Sequence, residues 1–290
     1  MAILNLGSIN ADMVYAMPHL PAPGETLAAG GLQKFLGGKG ANMSVAATRA
    51  GSEVKHIGAV GADGVWAVER LADYGVDVEH VARLDTPTGH AIIAVDQDGE
   101  NLIILYPGAN RELTMAQLDR AIAQAAPGDI LVLQNETNLQ AEAAERGKAK
   151  GLRVCYAAAP FDAAAVQAVL PHLDFLILNE VEAEQLRQAT GKTPADLGVR
   201  DVIITLGAKG ARHIDGASGA VLDVPALPVT AVDTTGAGDT FTGYVLSALD
   251  RGLSMADAMA EAARAGALMV TRRGTADVIP TRQEVADAQF

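Results

Sequence analysis

The chain has 290 residues, 49% of them apolar and 20% charged, enough for one large α/β domain with a substantial core and no covalent staples. A net charge of −13 repels phosphate backbones and argues against a nucleic-acid partner, and no stretch approaches the roughly 18 apolar residues of a membrane span. The apolar run at residues 2–4 follows no basic stretch, so no secretory signal and a cytoplasmic location are expected, and the lone Cys155 excludes internal disulfides and reads as a buried strand residue.

In chain order, apolar spacing predicts strand 3–7, helix 40–50, strand 54–60, helix 65–74, helix 115–125, strand 130–133 and helix 140–150. Strand 153–157, helix 163–170, strand 175–178, helix 181–189 and strand 202–206 follow. Two successive Ala-rich helices, 237–251 and 255–272, close the chain, with Gly252 and Leu253 between them. Such alternation implies a three-layer α/β/α core with a mostly parallel sheet. Two segments break the pattern. Residues 12–35 hold Pro18, Pro21 and Pro23 without helical period, and residues 89–106 alternate around an Asp98-Gly99 turn signal, as a hairpin does. Both read as strands of a small β-sheet inserted into a single domain, 1–290, where it can serve as a lid, a dimer surface, or decoration.

The strongest chemical signal is Asp233-Thr234-Thr235-Gly236-Ala237-Gly238-Asp239-Thr240-Phe241, which runs directly into a helix. Glycines at a helix start let backbone N–H groups approach an anion at the positive end of the helix dipole. A carboxylate held there, Asp239, is expected to stay ionised and to accept a proton from an attacking hydroxyl. The plain alternative is an Asp cap. Asn10 and Asp12 are expected to end the first strand on the carboxyl edge, where open α/β sheets bind ligands; turn chemistry is their alternative. Lys39 is not a P-loop lysine, because Gly40 stands where the hydroxyl residue belongs.

Residues 233–241 resemble the C-terminal signature of the ribokinase (PfkB) family of carbohydrate kinases, and Gly37-Gly38-Lys39-Gly40-Ala41-Asn42 resembles its N-terminal signature, in the same order along the chain. Gly7-Ser8-Ile9-Asn10-Ala11-Asp12, Pro23-Gly24-Glu25-Thr26, Gly108-Ala109-Asn110, Asn179-Glu180-Val181-Glu182 and Thr205-Leu206-Gly207-Ala208-Lys209-Gly210 extend the likeness over nearly the whole chain. The resemblance implies transfer of the γ-phosphoryl group of ATP to the 5-hydroxyl of a small sugar, D-ribose foremost. Fructose, a nucleoside or a deoxy sugar acid are the alternatives within the family. Asp239 would be the base, with Gly236, Ala237 and Gly238 forming the anion hole. Asn10, Asp12, Gly38, Lys39, Asn42 and Glu136 would bind the sugar; Asn179, Thr205, Gly207, Gly210 and Gly238 the nucleotide; Glu182 a water-bridged Mg²⁺. A monovalent cation such as K⁺ would sit among Asp233, Thr235, Met269, Arg272 and Gly274. Val278 stands where the family pattern offers a hydroxyl, which counts against K⁺ dependence. Ala157 and Ala263 replace an Asn and a His frequent in the family. A homodimer through the β lid is the expected assembly.

Taken singly, Glu136 reads as a loop acid, Asn179 and Glu182 as a helix cap with first-turn acids, and residues 205–210 as a strand-to-strand turn. His19, His56, His80, His90, His172 and His213 show no metal-ligand spacing. A dinucleotide-dependent oxidoreductase would need Gly-x-Gly-x-x-Gly after the first strand, which Gly7-Ser8-Ile9-Asn10 does not supply. A sugar-binding sensor without catalysis would be expected to lack the base.

Overall fold

The computed structural model describes residues 1–290. Strand β1 (Ala2–Leu6) is followed by β2 (Asn10–Ala16), β3 (Gly31–Gly37), α1 (Lys39–Arg49), β4 (Glu53–Gly61), α2 (Val65–Asp73) and the short β5 (Val81–Leu84). A hairpin of β6 (Gly89–Val95) and β7 (Asn101–Tyr106) precedes α3 (Met115–Ala123), β8 (Ile130–Gln134), α4 (Gln140–Lys150), β9 (Arg153–Ala157) and α5 (Ala163–Val169). The chain continues through β10 (Phe175–Asn179), α6 (Glu180–Thr190), β11 (Asp201–Thr205), β12 (Ala211–Asp215) and β13 (Val221–Val224), and ends with α7 (Ala237–Asp250), α8 (Met255–Met269) and α9 (Arg282–Asp287).

The main sheet has the order β13-β12-β11-β10-β9-β8-β1-β4-β5, parallel from β11 to β5, with β12 and β13 antiparallel at one edge. Side chains alternate across it. Ile3 faces the layer of α1, α7 and α8, whereas Leu4 and Leu6 face α3, α4 and α5. This double burial makes the parallel strands continuous apolar runs. Cys155 is fully buried on β9, and burial pushes its thiol up. No helix is long and apolar enough to cross a membrane.

Strands β3-β2-β6-β7 form a second sheet, in which β2 and β6 run parallel and the two outer pairs antiparallel. Segments 12–35 and 89–106 thus meet in one sheet, while residues 17–30 between β2 and β3 form no strand. One expectation is corrected here. Asn10 and Asp12 do not end the first strand, which stops at Leu6; they open β2, because the strand breaks at Gly7-Ser8-Ile9 and Asn10 pairs with Gly37 and Gly89. Asn10 and Asp12 therefore ride on the small sheet.

Two features of this architecture assemble the site. The chain passes from β1 to β4 on one side and later to β8 on the other, so the strand order reverses between β1 and β8, the place where open α/β sheets bind ligands. Helices α1 and α7 also pack unusually close: a Cβ on Gly243 would lie 2.5 Å from Ala46 Cβ and 2.8 Å from Met43 O. Small residues at this crossing bring the first turns of the two helices together, although they lie far apart in sequence.

Candidate active site

Asp239 occupies the first turn of α7, behind Gly236 in the left-handed conformation, and is 7% exposed. Its Oδ2 accepts a hydrogen bond from Asn42 Nδ2 (2.8 Å) in the first turn of α1. Burial pushes the Asp239 carboxyl above its usual range and Glu136 adds to this, while the Lys39 ammonium and the Asn42 amide pull it back. Asn42, and not a first-turn N–H, is the carboxylate's partner, and burial leaves a base with raised proton affinity. Lys39 is held above its usual range, first by Asp239 and then by Glu136 and Glu182, against the opposing effect of burial.

Around Asp239 lies a group of acceptors. Asp12, 8% exposed, rests against Gly37; burial, then Glu136 and Asp239, push its carboxyl up to about 7. Glu136 lies two residues beyond the end of β8, and its Oε2 accepts from Lys39 N (3.1 Å) and from the Ser8 hydroxyl. Asn42 Oδ1 is buried without a partner. Asn10 Oδ1 accepts from Asn110 Nδ2 (2.8 Å), and Asn110 Oδ1 in turn accepts from Ile9 N (2.9 Å). A cavity of about 60 Å³ opens beside Asn10 and Glu136, walled by Asn110, Arg111, Asn135, Pro160 and, from the small sheet, Leu105. Asn110, Arg111, Asn135 and Ser8 carried no role in the sequence reading, although Ser8 and Asn110 lay in motifs that signalled them.

On the other side of Asp239, a cavity of about 460 Å³ runs between the β11–β12 turn, the loop before α7, and helices α7 and α8. Thr205, Gly207, Gly210 and Gly238 line it, with Leu227, Val229, Phe241 and Ala263 forming an apolar wall. Sequence reasoning missed Leu227 and Val229, because an apolar loop carries no recognisable motif. Asn179 and Glu182 do not line this cavity. They form a reciprocal capping box at α6, Asn179 N donating to Glu182 Oε2 and Glu182 N to Asn179 Oδ1, both at 2.8 Å. Glu182 nonetheless belongs to the charge cluster: burial raises its carboxyl, Asp239 adds to this, and the Asn179 N–H and Lys39 oppose it. A half-buried carboxylate of raised proton affinity suits a hydrated cation held through water.

The monovalent-cation residues are partly assembled. Asp233 Oδ1 accepts from Thr235 N (2.9 Å) and Oδ2 from Gly274 N (3.1 Å), knitting the two loops, and Met269 O accepts from Arg272 N (2.9 Å). The Val278 methyls crowd Gly274, 3.3 Å from where its Cβ would stand, and Arg272 Nη1 takes the Val278 carbonyl (3.3 Å). Position 278 thus offers no hydroxyl ligand, and its carbonyl is already engaged. No group of three or more His, Cys, Asp or Glu is arranged to hold a metal elsewhere.

A buried carboxylate in the first turn of a helix, with Asp12, Glu136 and Asn42 around it and its neighbour Gly238 lining the larger cavity, fits a phosphotransferase site for a hydroxylated acceptor. The model of the pfkB family carbohydrate kinases matches residues 2–282. A ribokinase of Haemophilus influenzae is 37% identical, covering 97% of this chain and 96% of its own, and a deoxyribokinase of Salmonella typhi is 32% identical, covering 98% and 97%. The solved structure of Arabidopsis thaliana ribokinase complexed with ribose and ATP superimposes with a TM-score of 0.87 at 31% identity, covering 99% of this chain and 98% of that one. The chain belongs to the pfkB family of carbohydrate kinases.

Proposed function

We propose that this protein transfers the γ-phosphoryl group of ATP to the 5-hydroxyl of D-ribose, with Asp239 as general base. The observation that carries the reading is the surplus of acceptors around Asp239: the buried Asp12, the half-buried Glu136 and the unpartnered Asn42 Oδ1. Buried acceptors need donors, and a small polyol supplies one O–H for each.

In this reading the sugar's hydroxyls bond Asn10, Asp12 and Glu136, which aims the 5-hydroxyl at Asp239. Its proton passes to Asp239 as the oxygen attacks the γ-phosphorus, the bond from that phosphorus to the β–γ bridging oxygen breaks and ADP leaves; raised proton affinity makes the carboxylate a better acceptor. The N–H groups of Gly238 and Asp239, left without intrahelical partners by helix geometry, and the Lys39 ammonium stabilise charge on the transferring group. Glu182 would help to hold a hydrated Mg²⁺ that comes with ATP, and that ion would supply charge neutralisation of the phosphates. Asp233, Thr235 and Gly274 hold the loop before the anion hole through their own hydrogen bonds, so K⁺ is at most an auxiliary. Use of ATP places the reaction in the cytoplasm.

The exposed strand β7 carries Leu102, Ile103, Ile104, Leu105 and Tyr106 at the edge of the small sheet, with Ile103 58% and Ile104 56% exposed. An apolar open edge is best covered by the same sheet of a second copy, giving a two-fold dimer in which the lid is shared. The function is tested by coupled ADP release over D-ribose, 2-deoxyribose, D-fructose and adenosine; a preference for any other acceptor replaces the named substrate. Light scattering at micromolar concentration checks the dimer, which a fully active monomer refutes.

A further inference from the structure

Beneath the sugar side lies a chain of buried polar side chains with no part in the chemistry above. Gln134 Nε2 donates to Asn5 Oδ1 (2.8 Å), and Asn5 Nδ2 donates to Gly40 O (2.7 Å) and Ser44 Oγ (2.8 Å). Ser44 Oγ lies 2.8 Å from His56 Nδ1, and His56 Nε2 lies 3.0 Å from Gly7 O. Asn5, Gln134 and His56 are fully buried and Ser44 nearly so. Burial lowers His56 to about 4, so the ring is neutral and carries one donor and one acceptor. The Gly7 carbonyl can only accept, which puts the proton on Nε2 and leaves Nδ1 to accept from the Ser44 hydroxyl. Every bond then runs in one direction, from Gln134 to Gly7.

Stability alone gives no reason for such a relay, since apolar side chains of the same shape avoid the desolvation cost of four polar groups. Its backbone contacts suggest another reason. Gly7 follows β1 and Gly40 lies in the first turn of α1, and the two backbones touch there: a Cβ on Gly40 would stand 2.4 Å from Gly7 Cα. That turn carries Lys39, whose N–H bonds Glu136, and leads to Asn42, whose amide bonds Asp239. Neighbouring Gly40 N donates to Ser8 Oγ (3.2 Å), which also reaches Glu136.

We infer that His56, acting through Ser44 and Asn5, is a positioning residue for phosphoryl transfer: the relay seats the first turn of α1 on the end of β1 and so sets Lys39 and Asn42 against Glu136 and Asp239. The inference rests on the kinase reading above. Small misplacements of groups that orient reactants cost far more rate than stability.

The test is steady-state kinetics with D-ribose and ATP varied separately, beside thermal melting, for His56→Phe, His56→Gln and Ser44→Ala. His56→Phe keeps a ring but leaves Gly7 O without this donor and the Ser44 hydroxyl without its acceptor; it should lower kcat about tenfold and raise the sugar KM about tenfold, with the ATP KM within about twofold of wild type. His56→Gln can still donate to Gly7 O and should recover to within about threefold of wild type. Ser44→Ala should raise the sugar KM about threefold, and it decides the matter if His56→Phe does not fold. Folded variants with unchanged kcat and sugar KM, or sugar and ATP KM values rising together, overturn the inference. A wild-type protein that phosphorylates none of the sugars takes down the kinase reading and the inference with it, whereas an active wild type with indifferent variants takes down the inference alone.

Discussion

The two sides of Asp239 are built from different materials. The proposed sugar side is small and crowded with side-chain polar atoms, from the buried Asn10, Asp12 and Asn42 and the half-buried Glu136, beside a cavity of about 60 Å³. The nucleotide side is roomy, about 460 Å³, with glycine turns at its floor and Leu227, Val229, Phe241 and Ala263 in its walls. Side-chain hydrogen bonds discriminate strongly, because a mismatched ligand leaves a buried partner unpaired; apolar walls and backbone discriminate by shape and only weakly. Stringent choice of sugar and tolerant choice of base follow from this contrast.

The largest effect is expected where the two sides meet. Asp239→Asn keeps the bulk and a hydrogen-bonding head but removes the base, and kcat should fall by roughly 10² to 10⁴ while nucleotide affinity, measured by calorimetry, stays nearly constant. Turnover within about threefold of wild type would mean that the proton leaves by another route.

Next in size is the sugar preference. D-ribose should exceed 2-deoxyribose, D-fructose and adenosine in kcat/KM by at least about tenfold, since one unpaired buried group costs about 1 to 3 kcal/mol. Asp12→Ala should erase most of that preference in the same panel while leaving slow ATP hydrolysis in place. If the variant keeps the preference, the small-sheet residues do not read the sugar.

How far this contrast could be read from the chain depends on the kind of signal. Buried parallel strands such as Phe175–Asn179 are continuous apolar runs and stand out, whereas β5, β12 and β13 are short and partly exposed and left no period to find. Asp239 and Lys39 came from motifs that resemble a family, not from spacing: Asn42 and Asp239 are 197 positions apart, and only the close crossing of α1 and α7 makes them neighbours. Asn10 and Asp12 were placed on the wrong strand because the break in the strand at Gly7-Ser8-Ile9 carries no proline or paired-glycine signal. The buried relay from Gln134 to His56 was invisible, because its members lie on β8, β1, α1 and β4 and each reads alone as an ordinary polar residue.

A gentler effect is expected on the nucleotide side. With Ala263 in the wall and no charged side chain lining the cavity, GTP should replace ATP with a loss of kcat/KM of no more than about tenfold. A loss of several hundredfold in the same ADP- or GDP-release assay would show that the base is read by hydrogen bonds after all. The comparison would then lose its second half.

The smallest effect separates charge from catalysis in the free protein. Burial, with Glu136 and Asp239 nearby, raises Asp12 from 3.8 to about 7. The folded chain therefore keeps this proton up to about pH 7, while the unfolded chain releases it near pH 3.8. Between those values the unfolded state binds fewer protons than the native state, so the Asp12 contribution turns against folding as pH rises, with the full penalty present above about pH 7. Asn at this position is neutral throughout and carries no such penalty. Asp12→Asn should thus melt close to wild type near pH 4 and about 5 °C higher near pH 8, with the gap opening across the window between them. Saturating sugar should narrow the gap at pH 8, because its hydroxyls donate to the ionised carboxylate and only the wild type gains from that charge-assisted bond. A gap of constant size from pH 4 to 8 would assign the difference to packing around Gly37 rather than to the buried charge.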